Sequence, residues 1–478
     1  MKRKIYIVLV VGLMLLQIVG CTANPGPTGT STTTTPEIDG TQPVLDSTQL
    51  PSIQTAEPTP NLSIGELSHR VSLDLSNPQA DGVVLDGADI RIEKGGVYTL
   101  SGTLSGGVIV DCPDPVHLVL SGVTIDNPNG SAIHFGSCTD AAIEVAGNTK
   151  NTLSDAKKQK KEDSKNKKSK GKKGSKGTIY TAMPLRISGG GTLSITGRSK
   201  HGITCEGALT IADCALTIQA ESDGIHADGN IAIQGGSLTY TGGGNGVRSG
   251  ADVSIDSGAL LLSAQASGIK SKKDFTLKGG SVIITGECKE GIQSGTKIRI
   301  LGGSLDITSR DDPMNAQTEI EIAGGRHFLK GGDDGLDSNG RLLITGGTTV
   351  VFGTAPNYGA DCNDNPFVIE GGILIACGEY NTIPSNGTTQ GALIIANVKQ
   401  GLLAIEAEKK PVLLMMLPCE YASVLVSAPG LKLGRPYTIT AGGQAQGEGL
   451  LDNATPYDVG ESKQEFTLDT LVNSLTMP

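Results

Sequence analysis

Gly202-Ile203, Gly224-Ile225, Gly246-Val247 and Gly268-Ile269 open successive segments of the stretch 202–290, and this stretch decides the fold. Working outward, the beat continues at Gly291-Ile292, Pro313-Met314 and Gly335-Leu336, in steps of 22, 22, 22, 23, 22 and 22 residues. Two short alternating apolar segments follow each beat, such as Leu209-Thr210-Ile211 with Leu216-Thr217-Ile218, or Ile231-Ala232-Ile233 with Leu238-Thr239-Tyr240. Apolar residues at every second position share one face of a strand, and Gly-Gly, Ser-Gly or Asp-Gly pairs supply the bends between strands. Three such strands per beat at a fixed period describe one coil of a parallel β-helix, so an all-β chain of about 22 residues per coil is expected.

Ahead of the repeats, Lys2, Arg3 and Lys4 precede an apolar run from Ile5 to Val19 that ends in Gly20-Cys21. A basic end, a short apolar core and a small residue before Cys resemble a bacterial lipoprotein signal, with Cys21 as the lipidated residue. From Thr22 to about Pro60 the chain is Thr, Pro, Gly and Ser with few aliphatics, which cannot bury enough apolar surface to order itself. The expected organisation is a signal peptide over 1–20, a tether over 21–65, a β-helix over 66–400 and a β-rich cap and tail over 401–478. An exported, lipid-anchored protein displayed at the cell surface follows, and it is expected to act as a monomer.

The formal net charge of -10 conceals an uneven distribution. Eleven Lys residues lie between Lys157 and Lys176; without them, the neighbouring Asp155, Glu162 and Asp163 and the three cations of the signal, 25 cations face 46 anions over the body. The Lys run has no apolar periodicity and reads as a loop inserted into one coil, spanning 155–177. It is either a solvated loop or an attractor for anionic polymers. Nucleic acid is not expected as a partner, because no aromatic stacking residues flank the run. Of nine cysteines, Cys205 and Cys362 sit where other coils carry Ala227, Ser249, Ser271 and Ser338, a small inward column, and so read as core residues. The close pairs Cys205/Cys214 and Cys362/Cys377 have spacings that allow disulfides without establishing them.

With the beat aliphatic pointing inward, the next residue points outward, and equivalent residues of stacked coils lie about 4.8 Å apart. That outward column runs Thr204, His226, Arg248, Lys270, Gln293, Asn315, Asp337, Asp361: basic in the middle and acidic towards the C-terminus. Asp311-Asp312 precedes Asp333-Asp334 by one coil, and Asn339, Asn363 and Asp364 continue the acidic strip. Carboxylates on adjacent strands repel one another, and a hard cation such as Ca²⁺ relieves that repulsion. Turn chemistry is the competing account, since Asp-Gly and Asn-Gly are also what tight bends demand. A second, smaller acidic group is Asp223 with Asp228 around His226. Arg248, Lys270 and Lys272 form a basic strip suited to a polymer bearing carboxylates. Trp is absent, which argues against a flat aromatic platform; Tyr180, Tyr240 and Tyr358 are the aromatics placed to contribute, with Tyr358 beside the acidic strip.

The segments Val97–Leu104, His117–Ile125, Asn151–Asp155, Ser222–Asp228 and Asp333–Asn339, with the late Ser427–Gly434, resemble bacterial surface β-helix proteins of the carbohydrate-binding domain-containing family. The resemblance implies a right-handed, single-stranded parallel β-helix like that of pectate lyases and other polysaccharide lyases. It also implies calcium at acidic turns and binding of acidic polysaccharide such as polygalacturonate, with cellulose as a further ligand of the family. It supports Asp333, Asp334, Asp337 and Asn339 as calcium ligands. The Lys loop departs from the family pattern, and the coils from Gly244 to Gly295 lack the doubled Asp.

Three functions compete on these residues. The first is calcium-assisted binding of an acidic polysaccharide. The second is a calcium-dependent lyase using Lys270 or Arg248 as base, which lacks a converging acid, base and stabiliser. The third is a structural surface protein or adhesin whose repeats form only a stalk.

Overall fold

The computed structural model describes residues 67–157, 176–285, 287–447 and 449–478. The expected signal over 1–20, Cys21, the expected tether over 21–65 and most of the Lys run lie outside these residues. Among the described residues every regular element is a strand.

The expected coil is what the chain forms. One turn consists of Ile225–Ala227, Ile231–Ile233 and Ser237–Gly242, and each strand pairs in parallel with its equivalent one period later. The first strand of each coil stacks into a 13-stranded sheet, while the second and third faces belong to a 26-stranded sheet. Thr204, His226, Arg248, Lys270, Gln293, Asn315, Asp337 and Asp361 are register partners in unbroken succession along the 13-stranded sheet. The inward residues beside them, from Ile203 through Ile225, Val247, Ile269 and Ile292 to Met314 and Leu336, are fully buried. Each coil thus hides its aliphatics against its neighbours, the dominant stabilisation of a solenoid.

Bends repeat as regularly as strands. Gly236, Gly258, Gly280, Gly303, Gly325, Gly347 and Gly372 all have positive φ, and a Cβ on Gly303 would lie 2.7 Å from the carbonyl oxygen of Gly280. A side chain there is excluded by both backbone conformation and space.

At both ends of the solenoid antiparallel pairs join the stacked parallel strands. At the start, Val83–Asp86 and Asp89–Ile92 form an antiparallel hairpin at the end of the 13-stranded sheet. At the far end Ile373–Gly378 pairs antiparallel with Tyr421–Ser427. A separate antiparallel sheet of Gly401–Ala407, Lys410–Leu417 and Pro436–Ala445 packs a second apolar core against this end.

Two expectations are corrected, and the cysteine pairing that spacing left open is answered. Tyr240 is buried, its hydroxyl donating to the carbonyl of Ser222 at 2.5 Å, so it is a core residue and not a sugar contact. All eight described cysteines are free: Cys205, Cys214, Cys362 and Cys377 are separately buried in the core, consistent with the inward reading of Cys205 and Cys362. The inserted loop is narrower than 155–177, because Asp155 is fully buried and Gly177 already begins the strand Gly177–Thr181. The Asp155 carboxylate accepts the amide of Arg198 and the hydroxyl of Ser199, both at 2.6 Å.

Candidate functional site

Two columns build the site: the outward ladder and the residue immediately before each beat glycine. In the second column His201, Asp223, Asn245, Asp312 and Asp334 each accept a backbone amide of the next coil. His201 Nδ1 takes the amide of Asp223 at 3.1 Å, Asp223 Oδ1 that of Asn245 at 2.9 Å, and Asn245 Oδ1 that of Ser267 at 3.1 Å. Further along, Asp312 Oδ1 accepts the amide of Asp334 at 3.1 Å, and Asp334 Oδ1 that of Tyr358 at 2.6 Å. Turn chemistry therefore accounts for one Asp in each doublet.

The acidic strip divides into two groups, each with carboxylate oxygens within 4.8 Å of one another: Glu290 with Asp311 and Asp312, and Asp334 with Asp337 and Asp361. The first group already has a cation. Lys289 Nζ lies 2.8 Å from both Glu290 and Asp311, and these carboxylates hold its ammonium well above the usual lysine range. The second group has no ion pair among the described residues. Burial, then the neighbouring charges of Asp333 and Asp361, pushes Asp334 up to about 6; burial, then Asp334 and Asp361, does the same to Asp337. Asp312 is pushed up to about 8, chiefly by burial and next by Asp337. Asn315 joins the two groups, donating its amide to Asp337 and, at 3.3 Å, to Asp312.

The other expected ligands belong to neither group. Asp333 leans on Asp311 of the first, and burial, then that contact, raises its carboxyl above the ordinary range. Asn363 and Asp364 have φ of 48° and 61° and are exposed, so they form the bend after Asp361. Asn339 accepts the Asn363 side-chain amide at 3.1 Å. Tyr358 stacks near Tyr380 with ring centroids 5.4 Å apart, above Asp334. Glu290 was missed because it breaks the Asp pattern; its place directly before Gly291, in the column of Asp223 and Asp312, is the signal that finds it.

Around His226 the geometry differs in kind. Asp223 is buried, with His226 Nδ1 at 2.8 Å, His201 Nδ1 at 3.3 Å and Arg248 Nη1 at 4.0 Å from its Oδ2. Burial opposes its ionisation, yet the hydrogen bonds from His226 and Asn245 prevail and bring its carboxyl down to about 2. This carboxylate is already satisfied by imidazole and amide groups. Asp228 is outward and exposed, its carboxylate 3.7 Å from His226 Nε2. His226, Arg248, Lys270, Lys272 and Gln293 line a cavity of about 330 Å³ on the outward face. A second hollow of about 300 Å³ shares Arg248 and Lys270 and reaches Lys289. The basic strip is therefore a concave groove that leads along the ladder towards the free acidic group.

Comparison with known proteins places this geometry. A carbohydrate-binding domain-containing protein of Acetivibrio thermocellus is 27% identical over 165 residues, covering 33% of this chain and 56% of the relative. The match thus spans about half the length of that protein. A solved structure described as the polysaccharide lyase-like protein from C. thermocellum, in a gadolinium derivative, is 23% identical; the alignment covers 57% of this chain and 96% of that one, with a TM-score of 0.33. The model of the carbohydrate-binding domain-containing protein family matches residues 86–335, more than half of the 478, and takes in the whole groove from His226 to Gln293. The chain belongs to the carbohydrate-binding domain-containing protein family.

Proposed function

We propose that the outward ladder binds an acidic polysaccharide such as polygalacturonate, with Ca²⁺ assisting at its acidic end. The observation that carries this reading is the order of groups along one stacked face. A groove with Arg248, Lys270 and Lys272 is followed by Gln293 and Asn315, then by three carboxylates without a cation of their own. Arg and Lys attract a carboxylate on each sugar directly. Ca²⁺ takes six to eight oxygen ligands, so Asp334, Asp337 and Asp361 would fill part of its shell and leave positions for waters and for sugar carboxylates. The raised carboxyls of Asp334 and Asp337 fit this role, since mutual repulsion in a partly buried site is what a divalent cation relieves. In this reading Cys21 tethers the solenoid to a membrane and presents the ladder at the cell surface.

Retention of the protein on immobilised polygalacturonate, with calcium and with a chelator, tests the proposal. Retention that falls on chelation, and falls again when Arg248 and Lys270 are changed to Gln, is the expected result. Equal passage under all conditions would leave the repeats as a stalk; calcium-independent retention would confine binding to the basic groove.

A further inference from the structure

The groove contains a pair that binding alone does not call for. Asp223 is buried and ionised, and the only partner it offers the imidazole is an acceptor oxygen, so His226 must direct Nδ1–H at it across 2.8 Å. In the neutral ring the lone pair of His226 therefore sits on Nε2. His201 packs against the His226 ring with centroids 4.6 Å apart, and its own Nδ1 accepts the Asp223 amide, which fixes the pair from below. Arg248 and Lys270 follow His226 at successive positions of the same ladder.

The other side chains of the cavity narrow the chemistry. Ser249 and Ser271 are 3% and 2% exposed, with hydroxyls donating to the carbonyls of Gly229 and Lys273, so neither is a nucleophile facing the groove. Glycoside hydrolysis calls for two carboxylates flanking the bond. Asp228 is the one carboxylate among the residues lining this cavity, since Asp223 is committed beneath His226. Arg248 stays protonated and cannot act as a base. An imidazole held in one tautomer beside two cations is suited to removing a proton next to a carboxylate that those cations neutralise.

We propose that His226, positioned by Asp223, is the base of a β-elimination by which the groove cleaves the uronate polymer it binds. The proposal rests on the acidic-polysaccharide reading above and adds a reaction to it. His226 Nε2 takes the proton from the ring carbon bearing the carboxylate, while Arg248 or Lys270 holds the charge that spreads onto that carboxylate. The electron pair of the C–H bond becomes a carbon–carbon double bond to the neighbouring ring carbon. The bond from that neighbour to the bridging oxygen breaks, and the oxygen leaves with its electron pair and recovers the proton from the same imidazolium. Nothing is oxidised or reduced, and no water or co-reactant is consumed. His226 is the catalytic residue; Asp223 is a positioning residue.

Incubation of the full chain with polygalacturonate, followed by the ultraviolet absorbance of the unsaturated uronate, tests this, with retention on the same polymer measured in parallel. The wild type is expected to release unsaturated product, and His226→Gln to lose at least about 100-fold of the rate while still being retained. Asp223→Asn keeps an oxygen for the Asn245 amide, so it is expected to fold, with kcat lowered and KM unchanged. A wild type that retains the polymer but forms no unsaturated product overturns the elimination and leaves the binding reading intact. Unsaturated product at the wild-type rate from His226→Gln also overturns it. A wild type that neither retains nor cleaves the polymer overturns both.

Discussion

The carboxylate of Asp312 accepts the backbone amide of Asp334 one coil away at 3.1 Å, and so serves the architecture before it serves any ligand. Asn245 does the same for Ser267 with a neutral side chain, which shows that the role needs an oxygen and not a charge. The charge of Asp312 is then a burden: it is buried near Asp337 and Glu290.

That burden has a pH signature. Asp312 is pushed up to about 8, and Asp334 and Asp337 to about 6, from an ordinary 3.8. A folded state that holds protons more tightly than the unfolded one loses stability as pH rises from the unfolded to the folded pKa. The contribution is complete below about pH 4, declines through 6 and is gone above about 8. Metal-free protein is expected to melt at a higher temperature at about pH 5 than at about pH 9, and Asp312→Asn to flatten the upper part of that slope. Scanning calorimetry across this range is the check, and a flat profile in the wild type contradicts it.

Calcium should act on the other acidic group. A ligand bound only by the folded state stabilises it by RT ln(1 + [L]/Kd), about 2.7 kcal/mol at one hundred times Kd. Changing Asp334 and Asp337 together to Asn should abolish most of the calcium-induced rise in melting temperature. The same change at Asp228, where His226 is the neighbour, should not. A double variant that keeps its calcium response places the ion elsewhere.

The bends are expected to be intolerant. Gly303→Ala puts a Cβ at a φ of 78°, 2.7 Å from a neighbouring carbonyl oxygen. Strain of this kind costs about 1–3 kcal/mol. Urea titration should show a lower midpoint at an unchanged slope; no shift in midpoint means the turn can rearrange.

At the Lys-rich insertion, two changes a few residues apart should differ sharply. Deleting 158–175 removes no apolar residue and is expected to leave the thermal transition nearly unchanged. Asp155→Ala strips the acceptor from the Arg198 amide and the Ser199 hydroxyl in a buried site, at a cost of about 1–3 kcal/mol. Equal melting of the two variants would mean that the strand ends carry no load there.

By itself the sequence determined the coil and its register. A constant period stacks equivalent residues, and strand alternation assigns each to the core or to solvent. The ladder from Thr204 to Asp361 could therefore be written down by counting, as could the burial of Cys205 and Cys362. The same alternation puts Tyr240 on the face of Leu238, and there it fills the core. Only the tertiary structure decided what happens between strands, where no period governs side-chain direction. There Glu290 joins Asp311 and Asp312 under Lys289, while Asn363 and Asp364 turn away in left-handed conformations. It also paired Asp223 with His226: the bend brings a side chain from before the glycine onto the outward face, a contact set by turn geometry rather than by spacing.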